Sequence, residues 1–517
     1  MKGWSLGAFL AAVLAVLVTV PVVARREAAV PPPGAAMVII VTPHNEQIRQ
    51  EFGEAFSRWH AERFGEPATV VWSTPGGTSE IRKMLEASTV AALRNGSPVG
   101  GSADLLFGGG TYEYDQLRKP VTVEVAGERR AATVLEPVAF EPEWLRAVYG
   151  DNDIAGRPLH DPEGYWFGAA LSAFGIVYNA ERLDRLGVAA PRGWASLADP
   201  RLRGEVALVN PAQSGSVATA METILLREGW ERGWAILRRA AANARSVSAS
   251  ATRAPIEVAQ GEAAEALCID FYGRFQQQVV ADGGSPGRVG YMDPVGMTAV
   301  DPDPIAMLRG APHPQTARRF MEFALSRPGQ LLWQLPPGSP DGPREHGLRR
   351  LPASRAVHAS DGARFVDRVD PWKLATSIAD PDPNVRSFVA PLFVAMAIDC
   401  RDLSRRAWAA IAAHPDYPRD GSVLLAADAA DPRLRAMLER FDAIPPIPGP
   451  GGEEVSLESR DGRARVRNGW LRGQWSKEAL WPSMDSPADA MRRLLAAGIE
   501  RNMRAVLAIA EGRVDAP

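Results

Sequence analysis

Short apolar runs recur along the chain, each broken by a turn and followed by a stretch with helical spacing. Residues 37–41 (MVIIV) show no alternation, the pattern of a strand buried on both faces as in a parallel sheet. The break at Thr42, Pro43, His44 and Asn45 leads into a helix with Ile48, Phe52, Phe56 and Trp59 on one side. Residues 68–72 (ATVVW) read as a second buried strand, followed by the turn 73–77 and a helix over 78–87. A third strand, 103–107 (ADLLF), ends in 108–111 (GGGT). Strand, loop and helix in repetition predict an α/β layered lobe.

The middle of the chain repeats the pattern. Residues 174–178, 205–209 and 266–270 predict strands; the second ends in 210–216 (NPAQSGS) before a helix through Met221, Leu225 and Leu226. A second α/β lobe therefore falls at about 170–300, and the apolar stretch 305–308 with the helix through Phe320, Met321 and Phe323 returns the chain to the first. The prolines of 301–304 and 380–383 (both DPDP) make these segments turn formers. Further helices are expected over 401–413 and 431–441, a stiff linker over 444–452 (IPPIPGPGG), and a last helix over 486–511 started by Ser486 and Pro487. Trp470, Trp475 and Trp481 read as packing residues.

Composition sets the scale. With 517 residues, 46% hydrophobic and 23% charged, the chain holds two or three globular domains, and a net charge of -3 gives no sign of nucleic-acid binding. Lys2, the apolar run 6–24 and then Arg25 and Arg26 predict a signal peptide over 1–27, with an uncleaved membrane anchor as the alternative; either exports the chain. A proline-rich linker, 28–36, follows. Cys268 and Cys400 lie too far apart for a zinc knuckle or redox pair and read as two separate buried thiols.

In open α/β sheets ligands sit beyond the carboxyl ends of strands, where helix N-termini offer free N–H groups. The loops in that position supply His44 and Asn45; Thr74, Gly76, Gly77 and Thr78; Gly109; Ser214, Gly215 and Ser216; and Asp270 and Tyr272. Each loop alone reads first as a turn; their spread over two lobes points to a cleft. His44 and Tyr272, with Glu46 or Asp270, offer N/O ligands for ferric iron, against helix capping for the one and ring packing for the other. No catalytic constellation appears: Ser214 lies in Q-S-G-S rather than a nucleophile elbow, and phosphate-loop, H-E-x-x-H and EF-hand patterns are absent. The sequence predicts no enzyme and no resident cofactor.

Residues 308–323 (LRGAPHPQTARRFMEF), continuing to 326–330 (SRPGQ), resemble a characteristic stretch of the extracellular solute-binding proteins of ABC importers, especially the ferric-iron-binding type. Residues 174–179 (FGIVYN), 194–200 (WASLADP) and 210–216 are similar to further elements of that family in the same order, over about 37–395. The resemblance implies a type II periplasmic-binding-protein fold: lobe 1 over 37–170 and 300–395, lobe 2 over 171–299, a hinge and a central cleft. It also implies an ABC transporter permease as partner, a periplasmic or extracytoplasmic location, and His313 in a turn outside the site. Phe271-Tyr272 stands where ferric-binding members carry two tyrosines, while His44-Asn45-Glu46 is similar to their histidine-containing first loop. The expected ligand is therefore ferric iron or a small anion or carboxylate. An α-rich C-terminal extension, 396–517, falls outside the resemblance. A tethered sensor signalling through that extension, and a secreted α/β hydrolase built on Ser214, are the alternative functions.

Overall fold

The first apolar run forms β1 (Ala36–Val41), flanked in parallel by β2 (Ala68–Ser73) and β3 (Leu105–Phe107). The structure is a computed structural model that describes residues 36–475 and 486–513, so the expected signal peptide or anchor, and Trp481, lie outside the described residues. Among the described residues no helix is long and apolar enough to cross a membrane. The second helix runs over Thr78–Asn95, beyond the expected residue 87, because Thr89 and Leu93 keep its buried face going until Gly96 ends it in the left-handed conformation. β2 is not buried on both faces as expected. It is the sheet edge, pairing with β1 alone among the described strands, and Val71 is 40% exposed. A hairpin of β4 (Val121–Val125) and β5 (Glu128–Ala132), then β6 (Leu135–Glu136), complete this part.

β7 (Phe167–Asn179) is buried at every position except Tyr178. Up to Ala173 it pairs antiparallel with β12 (Val300–Leu308), and from Phe174 onward with β10 (Glu265–Ile269) and β11 (Val289–Met292). β8 (Val206–Val209) and β9 (Ala244–Ser248) continue the second half in parallel with β10, while β13 (Leu351–Pro352) adds to β7. The resulting order is β2-β1-β3-β12-β7-β10-β8-β9. Two α/β lobes thus share β7, and the chain returns to the first lobe where the Thr298 hydroxyl donates to the carbonyl of Phe174 (2.8 Å) and accepts from its N–H (3.1 Å). The mixed α/β fold read from sequence is present, with an additional helical region at the C-terminus.

The first DPDP segment overturns its reading as a turn. Asp301, Pro302, Asp303 and Pro304 lie in β12, opposite Ser172, Leu171, Ala170 and Gly168 of β7. Alternation puts both carboxylates on one face. The missing proline N–H groups are tolerated because β12 joins β3 only from Ile305 onward and the β7 register shifts between Asp303 and Pro304. The second DPDP segment is a bend, as expected.

The C-terminal region does not stand apart. The helix Arg386–Val394 packs on the second-lobe helix Gly215–Glu228, and Trp408, Phe441, Trp470 and Met491 join the core that begins at Phe174. The expected linker is a short hairpin, β14 (Ile447–Pro448) with β15 (Glu454–Val455), in which Ile447 is wholly buried. Cys268 and Cys400 are free and buried. The Arg239 guanidinium, fully buried, forks onto both oxygens of Asp442 (2.8 and 2.9 Å), donates to the carbonyl of Leu424 and lies 5.4 Å over the Trp408 ring. Removing one partner of such a pair strands the other charge. Arg239→Ala is therefore expected to lower stability by about 3–5 kcal/mol in urea denaturation, with R239M/D442L recovering most of it.

Candidate functional site

Between the lobes lies a cleft of about 480 Å³. Of the residues singled out from sequence, His44, Asn45, Gly76, Gly77, Thr78 and Gly109 line it from the first lobe, and Ser214, Gly215, Ser216 and Tyr272 from the second. Thr74 is exposed on the turn and does not line it. Asp270 is fully buried behind the cleft: its Oδ1 accepts the N–H of Phe271 (2.8 Å), and burial raises its pKa to about 7 against the pull of Arg274. The sequence had not pointed to Glu80, Ser250, Thr252 and Arg350, which also line the cleft.

Helix starts converge here because each loop ends in a capping residue. The Asn45 side chain accepts from the N–H of Ile48 (3.1 Å) at the start of Glu46–Phe64. Gly77 caps Thr78–Asn95, and its N–H is taken by Glu80 (3.0 Å). Ser214 caps Gly215–Glu228 and lies 3.1 Å from the Ser216 hydroxyl. The helix Asp270–Asp282 starts directly after β10. Helix N-termini carry partial positive charge, so their convergence favours an anion. The walls touch closely: a Cβ at Gly77 would lie 2.8 Å from the carbonyl oxygen of Gln213 on the opposite lobe.

His44 neither caps the helix nor sits in solvent. It is 4% exposed, edge-on to Phe107 (ring centroids 4.6 Å apart), and its Nε2 meets Asp303 Oδ2 at 3.1 Å. Gly108 makes room for the ring, since a Cβ there would come within 2.4 Å of Nε2. Burial lowers the His44 pKa well below 6.5, and Arg350 and Arg49 push the same way, so the ring is neutral and Nε2–H donates to Asp303. Asp303 also accepts the N–H of Gly109 and pairs with Arg350. Asp301, two residues away, accepts from the Thr111 hydroxyl (2.7 Å) and Arg157 (2.9 Å). The two aspartates of the misread DPDP segment therefore fix the loops that form one wall.

Arg350 is buried, with its Cζ 3.9 Å from the Phe271 ring centroid, and its Nε has no protein partner. Burial pulls its pKa down to about 10, so it stays cationic at neutral pH. Tyr272 is half-buried, and burial raises its phenol pKa against the opposing pull of Arg350.

Of the ferric-iron ligands anticipated, His44 and Tyr272 both line the cleft, whereas Glu46 and Asp270 do not. The His44 Nε2 is bonded to Asp303, and the Arg350 guanidinium lines the cleft beside them. Among the described residues, the His/acid cluster close enough to hold an ion is His414, Asp416 and Asp431, in the C-terminal region. His313 stands outside the cleft as expected, where its N–H and Nδ1 both engage Asp104.

The sequence model of the family described as bacterial extracellular solute-binding protein matches residues 136–344. The Phosphoglycerate transport regulatory protein PgtC of Salmonella typhimurium is 23% identical over 269 residues, 47% of this chain. The match spans 65% of that relative's length, just under two thirds. The periplasmic binding protein AfuA from Actinobacillus pleuropneumoniae, solved with exogenous fructose-6-phosphate bound, is similar at 18% identity over 57% of this chain and 81% of its own, with a TM-score of 0.45. Iron-bound HitA from Pseudomonas aeruginosa is similar at 16% identity over 70% of this chain and 99% of its own, with a TM-score of 0.46.

Because His44 is held neutral in the fold but titrates near its ordinary value when unfolded, the unfolded state binds the extra proton as pH falls below about 6.5. Its contribution to stability is complete above that pH and is lost below it, at up to about 1.4 kcal/mol per pH unit. Denaturation at pH 7.5 and 5.5 is expected to show a smaller pH-dependent loss for His44→Gln than for the native chain.

Proposed function

We propose that this protein is an exported capture protein that closes its two lobes around a small organic anion, with a phosphate or carboxylate group, and hands it to an ABC transporter permease. The observation that carries the reading is Arg350: a buried guanidinium in the cleft, with Nε free, among converging helix N-termini. Asp303 balances its charge, so the anionic group is held by directed donors rather than by net positive charge. The hydroxyls of Thr78, Ser214, Ser216, Ser250 and Thr252 supply partners for the polar body of such a ligand, and Tyr272 stands on the opposite wall from His44. The family supports an extracytoplasmic location. The phosphorylated compound in the name of PgtC agrees with the ligand class. Ferric iron is disfavoured, because a hard trivalent cation needs several anionic oxygens and the cleft sets an arginine there instead.

The test is thermal unfolding of the protein with inorganic phosphate, 3-phosphoglycerate, fructose 6-phosphate, small dicarboxylates and ferric citrate. A ligand of the folded form at a hundredfold excess over its Kd adds about 2.7 kcal/mol of stability. At least one organic anion is expected to raise the melting temperature, and Arg350→Gln to weaken it by roughly 10- to 100-fold, the worth of a charge-assisted hydrogen bond. A shift with iron alone, abolished by Tyr272→Phe, would overturn the anion reading.

A further inference from the structure

We infer that the C-terminal region is a latch on the cleft and that Arg386 is its positioning residue, holding the second lobe against the first beside the ligand loops. The helix Arg386–Val394 and the segments after it share one core with the second lobe, so Arg386 moves with that lobe. Its guanidinium is anchored there three times: Nη1 to the Thr219 hydroxyl (2.9 Å) and Glu222 (3.4 Å), Nη2 to the carbonyl of Gly215 (3.2 Å). The same group reaches across to the first lobe, with Cζ 4.5 Å from the Tyr112 ring centroid and Nη2 4.0 Å from Glu113.

The first-lobe half of the contact is preformed. Ser79 (2.8 Å) and Arg82 (2.5 Å) hold the Glu113 carboxylate, which is buried and directed at Gly215: a Cβ on that glycine would meet Glu113 Oε1 at 3.2 Å. Arg386 therefore has strong bonds on one lobe and a separable ring-and-carboxylate seat on the other. Opening the cleft parts the seat and leaves the anchors intact. The strongly bonded side includes the carbonyl of Gly215, so the latch bears on the helix start that lines the cleft. A latch of this kind raises the population of the closed form before any ligand arrives and so sets affinity from outside the cleft.

The test uses full-length protein without ligand, so failure of the anion reading leaves it intact. Dyes on E62C and Q277C, exposed positions on the two lobes, report lobe separation by single-molecule energy transfer; both native cysteines are buried. Arg386→Ala and Tyr112→Ala are each expected to raise the ratio of open to closed molecules roughly tenfold, the order of a desolvated cation–π contact, with Arg386→Lys in between and unchanged urea midpoints for Y112A. Native ratios in Y112A, or opening in R386A alone, would show that the arginine serves only second-lobe packing and would overturn the latch. If R386A does not fold, Y112A decides the matter.

Discussion

The pairing of β7 with β12 is the constraint from which the rest of the molecule follows. The chain passes between lobes along β7 and comes back into β12, and both passages meet where Thr298 brackets the backbone of Phe174. Burial on both faces demands apolar or internally satisfied residues, and β12 meets the demand with prolines that fix the backbone and aspartates whose charges are fully engaged. The aspartates are also what the loops of the first lobe are bonded to. Hinge and cleft wall are therefore one structure: a change in the angle between lobes acts on the strand that holds Gly109, Thr111 and His44.

The charged groups around the cleft are largely engaged within the protein. His44 is neutral, Arg350 is offset by Asp303, Glu80 bonds the N–H of Gly77, and the helix starts add their partial positive charge. Fixed dipoles of this kind act over short distances and favour a ligand whose oxygens fit their directions. A cation meets the same dipoles with the wrong sign.

Much of this was legible in the sequence. The five-residue apolar runs and the glycine and hydroxyl loops between them located ten of the cleft residues, because strand-to-helix loops in an α/β layer face one side by geometry. The DPDP strand is hidden in the sequence because alternating prolines favour a turn locally, and only tertiary pairing with β7 reverses that preference. Arg350 lies in the unremarkable pair Arg349-Arg350; its neighbour turns out to Asp367 and Gln278, and nothing local distinguishes the two. Thr74 and Asp270 were one pleat or one helical step away from the cleft, a difference that motif position does not resolve. The edge position of β2 was hidden for the same reason, since five apolar or β-branched residues look alike in a central strand and at an edge.

The core that opens at Phe174 closes only at Val506. The second lobe thus needs helices made long after its own strands, while the first lobe draws its core from residues between Val38 and Ala375. Contacts this distant in sequence are slow to form. As the chain emerges, the first lobe has all its parts earlier than its partner, and the central segment must wait, with its apolar surface uncovered, for the helices beyond Arg401. Loss of the helix Pro487–Ala510 would therefore be felt first as a failure of the second lobe to mature rather than as the trimming of an accessory domain.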